Sequence, residues 1–399
     1  MLRGEWEPAG VPTIFKLIEV LDQELDELQI IFTAKELRPC HEIIEDRDIG
    51  IRNLNANVKV LAGEEIVPAI FGRWRWWYNE FRQFCCVLKI YRRMNPDLLY
   101  IDRGNIFSAG IFARFFRTPV IYRVMGISPA LRSIWKGYKP RQILLRWLLR
   151  SPFSHVICTE EGSGGELWLK RLLDPLTNRD LLLNGVDRPD PDREAWPSLF
   201  KSPDGKVVVL FLGRLDALKG GEHFIQGFLA ARQKLPDKIH ALVIGDGPQR
   251  VNLDKVVSSA DACDDVTFLG HVPHSQVGTI CKKADIYVSL NQMGNLSNAT
   301  LEAMAAGLCL IIPSSREDIG ADMLTDTFLP EDVVVRIPSP YDTAALAQAI
   351  VNLTVDAMDR NRRQIATKAI ADQMLPTWAE RIKTELKLLK KLAAPRSAS

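Results

Sequence analysis

The sequence has few of the residues from which metal centres and disulfide frameworks are built. Its 399 residues include seven cysteines and six histidines, with no C-x-x-C motif and no closely spaced histidine pair. Cys85 and Cys86 are adjacent, a spacing that suits neither a metal site nor a simple disulfide. Dispersed cysteines in odd number are typical of reduced thiols in a cytosolic protein. We therefore expect no metal site and no cofactor.

Long apolar runs and a strong charge excess are also missing. No stretch of about 18 apolar residues occurs, so we expect no membrane-spanning helix. Met1–Gly4 does not lead into the apolar core of a signal peptide. The formal net charge is +2, which gives no global field for nucleic acid. These features predict a cytoplasmic protein without a nucleic-acid partner. Hydrophobic residues make up 47% of the sequence, which is enough apolar material for two cores.

Short apolar, β-branched segments alternate with longer helical segments along the chain. Most are continuously apolar, which is typical of strands in a parallel sheet covered by helices on both faces. The alternation predicts an α/β fold with doubly wound parallel sheets. The predicted strands are Leu28–Ala34, Val58–Ala62, Leu98–Asp102, Val120–Met125, His155–Thr159, Leu181–Asn184, Val207–Leu212, Ala241–Ile244, Val266–Leu269, Ile286–Leu290, Cys309–Ile312 and Val333–Ile337.

A proline-rich segment divides the chain into two predicted domains. Asp187–Lys206 contains four prolines and no periodic apolar pattern, as expected of an interdomain linker. We place one domain at residues 1–187 and the other at 188–376, followed by a helix at 377–393. The glycines of Gly4–Gly10 precede any predicted strand, so we expect the first strand of the first domain to lie upstream of this sequence.

The strongest local motif, Gly213–Gly220, follows the predicted strand Val207–Leu212. Arg214 and Lys219 place two cations at the carboxyl end of that strand, where α/β sheets bind ligands. A diphosphate leaving group would be stabilised by such a pair as its negative charge develops. Solvated surface charges are the alternative interpretation of this segment alone.

A second motif, Asn298–Gly307, predicts a capped helix at the same edge of the sheet. Ser297 or Asn298 can cap its N-terminus, and Gly307 can end it. The free amides and positive dipole end of such a helix bind phosphate. Glu302, about one turn into the helix, can accept two hydrogen bonds from ribose hydroxyls. An amphipathic helix with an ordinary surface glutamate is the alternative.

Taken together, the motifs resemble the GT-B glycosyltransferases of family 4. The resemblance covers essentially the whole chain, and it implies two Rossmann-like domains that face a cleft. It implies that the first domain binds the acceptor, the second binds the nucleotide sugar, and the last helix crosses back onto the first domain. The segments that carry it are Asn184–Asp187, Gly213–Gly220, Gly245–Pro248, Gly270 and Glu302–Gly307.

The resemblance also implies an activity and assigns residues to it. It implies a retaining, metal-independent transfer of a hexosyl group from a UDP- or GDP-sugar, which serves as co-substrate. Arg214 and Lys219 match the pair that binds the diphosphate, and Glu302 matches the glutamate that holds ribose. The donor-binding positions are Gly10, Gly213, Val272, Gly294, Asn295, Asn298, Ala299, Thr300 and Leu301.

Two departures from the family pattern touch the sugar. Gly294 stands eight residues before Glu302, where the family usually has a glutamate that contacts the donor sugar. Met125 stands where many members have a histidine. We favour an active enzyme with altered sugar preference, because the nucleotide-holding residues are present and the loop Asn291–Ser297 offers neutral hydrogen-bonding groups. A catalytically silent binding subunit and a GT-B-like sugar-nucleotide epimerase are the alternatives.

Two basic aromatic segments, Arg73–Arg93 and Arg132–Arg150, indicate contact with a membrane. Tryptophan beside lysine or arginine on amphipathic helices is typical of attachment to anionic lipid surfaces. We therefore expect peripheral attachment to the cytoplasmic face of a membrane, a glycan or lipid-linked acceptor, and a role in cell-surface polysaccharide or glycolipid synthesis. Core helices with surface charges are the alternative. The D-x-D tripeptide Asp46–Asp48 lies far from the phosphate motifs, and we expect it to hold no metal.

Overall fold

The computed structural model describes residues 12–34, 45–187, 200 and 202–394. Gly10 and most of the predicted linker lie outside these residues. The strands are β1 (Gln29–Thr33), β2 (Arg47–Ile49), β3 (Asn57–Leu61), β4 (Leu99–Asp102), β5 (Val120–Val124), β6 (His155–Thr159), β7 (Arg179–Leu182), β8 (Val207–Leu212), β9 (Ile239–Ile244), β10 (Val266–Gly270), β11 (Ile286–Val288), β12 (Cys309–Pro313) and β13 (Val335–Ile337).

Fourteen α-helices connect and cover these strands in the described residues. They are α1 (Pro12–Glu24), α2 (Arg75–Met94), α3 (Ile106–Phe115), α4 (Pro129–Ser133), α5 (Pro140–Leu149), α6 (Gly165–Leu172), α7 (Gly221–Lys234), α8 (Arg250–Ser259), α9 (His274–Cys281), α10 (Asn298–Ala306), α11 (Met323–Phe328), α12 (Thr343–Val355), α13 (Ala357–Met374) and α14 (Trp378–Ala393). Within the described residues, no helix is both long enough and apolar enough to span a bilayer.

The second half of the chain contains a six-stranded parallel sheet in the order β10-β9-β8-β11-β12-β13. Alternate residues of β8 enter the two cores on opposite faces: Val209 and Phe211 on one, Val208 and Leu210 on the other. Helices cover both faces, as the continuously apolar strands predicted. The strand order reverses between β8 and β11, and ligands bind at such a reversal, beyond the carboxyl ends of the strands.

The first half has two smaller sheets. One is fully parallel, in the order β4-β5-β6-β7, and the other has the order β1-β3-β2. Every residue of β5 and β6 is buried, again because helices cover both faces. The strand β2 pairs antiparallel with β3 and was not predicted, because its three residues are partly exposed and carry no apolar run. With the second half, this arrangement confirms the predicted α/β, GT-B architecture.

The last helix, α14, packs against the first half of the chain although it follows the second half in sequence. Ile382, Leu386 and Leu389 of α14 share one apolar cluster with Leu17 and Leu21 of α1. A capping box at Thr377 starts this helix, because Thr377 and Glu380 each satisfy the other's backbone amide. The packing buries the inner stripe of an amphipathic helix that would otherwise face water.

A charged cluster lies inside this interface. Glu385 of α14 is fully buried, as is Arg123 of β5, and their side chains lie 3.7 Å apart. Arg381, one turn earlier on α14, bonds Glu385 at 2.5 Å, and the Tyr100 hydroxyl donates to the same carboxylate. Burial lowers the pKa of Arg381, while Glu385 raises it. The carboxylate therefore compensates two guanidinium groups that have no access to water.

We predict that Glu385→Gln destabilises the protein by about 3–5 kcal/mol, because it leaves two buried cations without an anion. The midpoint of chemical denaturation measures this. Lys387→Gln, which changes an exposed residue of the same helix, is the control and should unfold like the wild type. Equal midpoints for Glu385→Gln and Lys387→Gln would contradict the prediction.

Candidate nucleotide-sugar site

The carboxyl ends of β8 and β11 meet those of β5 and β6 across the boundary between the two halves. The backbone amide of Leu296, in the loop after β11, donates to the carbonyl of Glu161, just after β6, at 3.1 Å. The amide of Asp322 donates to the carbonyl of Gly162 at 2.7 Å. The predicted phosphate motifs therefore lie in a cleft lined by both halves.

Asp216 fixes the loop that carries the two predicted phosphate-binding cations at the end of β8. The Arg214 Nε donates to one of its carboxylate oxygens at 2.5 Å, and the Lys219 amide donates to the other at 3.1 Å. The Arg214 side chain is 58% exposed, whereas Lys219 is more enclosed and burial lowers its pKa. Gly245 lets the neighbouring strand end approach, because a Cβ there would lie 2.0 Å from the Gly213 carbonyl oxygen.

The N-terminus of α10 opens onto the same edge. Ser297 is the N-cap, but its side chain forms no capping bond, and Gly307 ends the helix with a φ of 77°. The first amides of a helix have no intrahelical acceptor, so those of Asn298, Ala299 and Thr300 can bind an anion. The Leu301 amide bonds the Ser297 carbonyl and its side chain is buried in the core. Neither its amide nor its side chain is free in this geometry, and the predicted contact of Leu301 with the donor stays a prediction.

Glu302 lies on α10 beside a histidine. Its carboxylate is 3.1 Å from His274 Nδ1, at the start of α9, and this hydrogen bond raises the pKa of His274. The pair fixes the carboxylate at the edge of the cleft. Sequence analysis missed His274, because the contact depends on α9 packing against α10 and no local pattern joins the two residues.

The Asn298 side chain connects the two halves. Its Oδ1 accepts from Asn184 Nδ2 at 2.5 Å, and Asn184 Oδ1 accepts from the Thr13 hydroxyl at 2.7 Å. This chain of hydrogen bonds runs from α1 through the motif at Asn184–Asp187 to the start of α10. The side chain of Asn298 is therefore engaged within the protein, and its backbone amide is the group that can face a donor.

Gly294 lies where the two halves pack closely. A Cβ at this position would lie 2.4 Å from the Glu161 carbonyl oxygen, 2.4 Å from the Gly162 carbonyl carbon and 2.6 Å from the Ser163 amide nitrogen. These are backbone atoms, so this arrangement cannot accommodate a glutamate side chain, and close packing of the two halves accounts for the glycine. The expected contact of Gly294 with the donor and the altered sugar preference stay predictions.

Two further predicted donor contacts are occupied by the protein itself. Asn295 accepts from the Ser289 hydroxyl at 2.6 Å and donates to Asp322 from both its side chain and its backbone at 2.7 Å. Its side chain is 1% exposed and is not available to a sugar. The Val272 side chain lies in the apolar core, so only its backbone could contact a base.

Glu161 is a cleft residue that sequence analysis did not identify. Its carboxylate lies against Gly126 at the end of β5, where a Cβ would be 1.9 Å from Glu161 Oε1. Burial raises the pKa of Glu161 to about 7, while the nearby cations Lys219 and Arg103 lower it. No local motif marked it, because its position depends on the contact between the two halves.

The D-x-D tripeptide is part of the first half's small sheet. Asp46 bonds Arg82 at 2.6 Å, and Asp48 bonds Lys59 at 2.9 Å. Among the residues that the structure describes, no group of three or more His, Cys, Asp or Glu side chains could hold a metal ion.

Part of the chain matches a known protein family and several curated relatives. Residues 192–369 match the family model of glycosyl transferases group 1. A 2-deoxystreptamine N-acetyl-D-glucosaminyltransferase of Streptomyces fradiae is 30% identical over 180 residues, which are 44% of this chain and 40% of the relative. An alpha-monoglucosyldiacylglycerol synthase of Streptococcus pneumoniae is 25% identical over 248 residues, which are 58% of this chain and 55% of the relative. The chain thus spans about half the length of these curated relatives.

Among solved structures, sucrose-phosphate synthase from Thermosynechococcus elongatus has a TM-score of 0.70 at 18% identity. The match covers 98% of this chain and 95% of that one. Likeness at this level of identity establishes the fold of the whole chain. The chain therefore has the GT-B fold, and its residues 192–369 match the model of the glycosyl transferases group 1 family.

Proposed function

We propose that the protein is a glycosyltransferase that moves a hexosyl group from a UDP- or GDP-sugar to an acceptor, with retention of configuration and without a metal. The observation that carries the proposal is the position of Arg214, Lys219 and the α10 amides around the point where the strand order reverses. Arg214 and Lys219 would supply positive charge, and the α10 amides would supply N–H donors, to an anion bound there. A nucleoside diphosphate is the ligand that such a site fits.

These groups would act on the leaving diphosphate. As the bond between the anomeric carbon and the diphosphate oxygen breaks, the oxygen gains negative charge that Lys219, Arg214 and the α10 amides stabilise. The acceptor hydroxyl forms the new bond to the anomeric carbon on the same face. Its proton passes to the leaving phosphate oxygen. No metal is required, because the two cations and the helix N-terminus supply the positive charge.

The two alternatives lose support in this geometry. Gly294 was the main argument for a catalytically silent subunit, and close packing against Glu161 and Gly162 accounts for it. An epimerase acts on one molecule and needs no acceptor surface, whereas the first half exposes apolar side chains such as Ile70, Trp74 and Tyr138. That surface favours transfer to a second substrate.

The two basic aromatic segments lie beside each other in the first half, and together they form the surface that we propose for the acceptor. The Arg141 guanidinium lies 4.2 Å from the centroid of the Trp76 ring, which places α5 beside α2. We call the exposed apolar side chains of this region the aromatic surface: Ile70, Phe71, Trp74, Tyr78, Phe81, Tyr138, Ile143 and Trp147. Apolar side chains among cations bind anionic lipid interfaces. We propose that this surface attaches the enzyme peripherally to the cytoplasmic face of a membrane and gives it access to a lipid-linked acceptor, in the synthesis of cell-surface polysaccharide or glycolipid.

We predict that Arg214→Ala and Lys219→Ala each lower kcat/KM about tenfold to a hundredfold, because each removes one charge-assisted bond to the leaving diphosphate. Transfer from a panel of UDP- and GDP-sugars to membrane extract, followed by mass spectrometry, measures the rate. Lys234→Ala, at an exposed position of α7, is the control. Wild-type rates in both cleft variants would remove the basis of the proposed mechanism.

We predict that replacing Ile70, Trp74 and Phe81 together with serine lowers binding to anionic vesicles at least tenfold, since each buried apolar side chain contributes about 1.5–3 kcal/mol. Co-sedimentation with vesicles of stated anionic lipid content measures it. The control replaces Val355, Met358 and Ile365, which are comparably exposed in the second half.

Binding of the wild type should fall as salt rises, because the cations of the same surface are screened. Equal binding by the two triple variants would argue for an acceptor that reaches the site from solution.

A further inference from the structure

Glu161 is held in place by contacts on both sides of the cleft. Its carbonyl accepts from the Leu296 amide of the second half, and the next residue, Gly162, accepts from the Asp322 amide. The Gly162 amide in turn donates to Glu160 Oε1 at 2.8 Å. The backbone that carries the Glu161 side chain is therefore fixed relative to Lys219 and α10 whenever the two halves are in contact.

The carboxylate of Glu161 has no protein partner in the described part of the chain: it accepts no hydrogen bond there and forms no ion pair within 4 Å. Several nearby carboxylates are paired: Asp102 accepts from Asn105, Asp216 from Arg214, and Asp322 from Asn295. The neighbouring Glu160 accepts from the Gly162 amide through Oε1, while its buried Oε2 has no partner in the described residues. The Glu161 side chain is partly exposed at the cleft, so its carboxylate is available to accept hydrogen bonds from a ligand.

The charges around Glu161 indicate the ligand. Of the charges around the Glu161 carboxylate, Lys219 and then Arg103 lower its pKa most, whereas Glu160 raises it. Lys219 also belongs to the phosphate-binding pair. A group that reaches from Lys219 to Glu161 is therefore attached to the diphosphate and carries neutral hydrogen-bond donors. A sugar meets both conditions, because its hydroxyls donate to a carboxylate without adding charge.

We propose that Glu161 binds the hydroxyl groups of the transferred sugar and helps to set donor specificity. This inference depends on the proposed function as a glycosyltransferase. The resembled family usually places a carboxylate at the position of Gly294, which here cannot carry a side chain. In this protein the carboxylate comes from the opposite wall of the cleft, on the residue against which Gly294 packs.

The test compares Glu161→Gln with Glu166→Gln, an exposed glutamate at the start of α6 that serves as the matched control. Calorimetry measures the Kd of UDP and GDP and of the donor sugar nucleotide, and steady-state kinetics measures kcat/KM. We expect Glu161→Gln to bind the free nucleotide as the wild type does. Its kcat/KM with the donor should fall about tenfold to a hundredfold, because a hydrogen bond to a charged group is lost.

The pH profile provides a second readout. The ionised carboxylate is the acceptor, and burial raises the pKa of Glu161 to about 7. The kcat/KM of the wild type should therefore fall as pH decreases through 7. The kcat/KM of Glu161→Gln should not show this decrease. His274, whose pKa is raised by its hydrogen bond to Glu302, lies at the same cleft, and the charges of Lys219, Arg103, Arg123 and Glu160 act on Glu161. All of these groups are unchanged in the variant, so the difference between the two profiles reports Glu161 alone.

The outcomes separate the two proposals. No turnover of any sugar nucleotide by the wild type overturns the proposed function itself. An active wild type with equal kcat/KM and equal pH profile in Glu161→Gln overturns the role of Glu161. Loss of free-nucleotide binding in Glu161→Gln, together with a lowered melting temperature, assigns Glu161 to the structure of the cleft and also overturns the inference.

Discussion

The buried guanidinium of Arg123 is the constraint on which the first half of the molecule depends. A charge without water must be paired and hydrogen-bonded, or it prevents folding. Its partners come from far apart in the chain: Glu385 from α14, and the Ile157 carbonyl and Thr159 hydroxyl from β6, the latter at 2.7 Å. One side chain thus joins the last helix to the strand end that carries Glu161, so the chain's final segment helps to shape the cleft.

Glycines at the boundary allow the two halves to meet through their backbones. A Cβ on Gly162 would lie 2.3 Å from an Asp322 oxygen, and one on Gly164 would lie 2.7 Å from the Ile319 carbonyl oxygen. Contact at this distance is specific in geometry, and each hydrogen bond across it contributes about 1 kcal/mol net. Under the proposed function, separation of the halves would admit a donor, and the same contacts would restore one defined arrangement.

Sequence patterns predicted what is local and periodic. The strands such as β6 and β8, the phosphate motif at the end of β8 and the helix ended by Gly307 all lie where the sequence placed them, because each depends on neighbours along the chain. Long-range contacts were not predictable. Three features depend on how helices and halves pack: the pairing of His274 with Glu302, the close packing at Gly294 and the position of Glu161. Packing between segments that are distant in sequence leaves no periodic pattern at a single residue.

The two halves would contribute different groups to the proposed reaction. Lys219, Arg214 and α10 would stabilise the leaving diphosphate from the second half, whereas Glu161 would hold the sugar from the first. A nucleotide sugar bound to the second half alone lacks the group that orients its sugar. Productive orientation would then require the halves to be in contact, the same state in which Gly294 packs against Glu161. Closure of the cleft would exclude water, and transfer to an acceptor would thereby be favoured over hydrolysis.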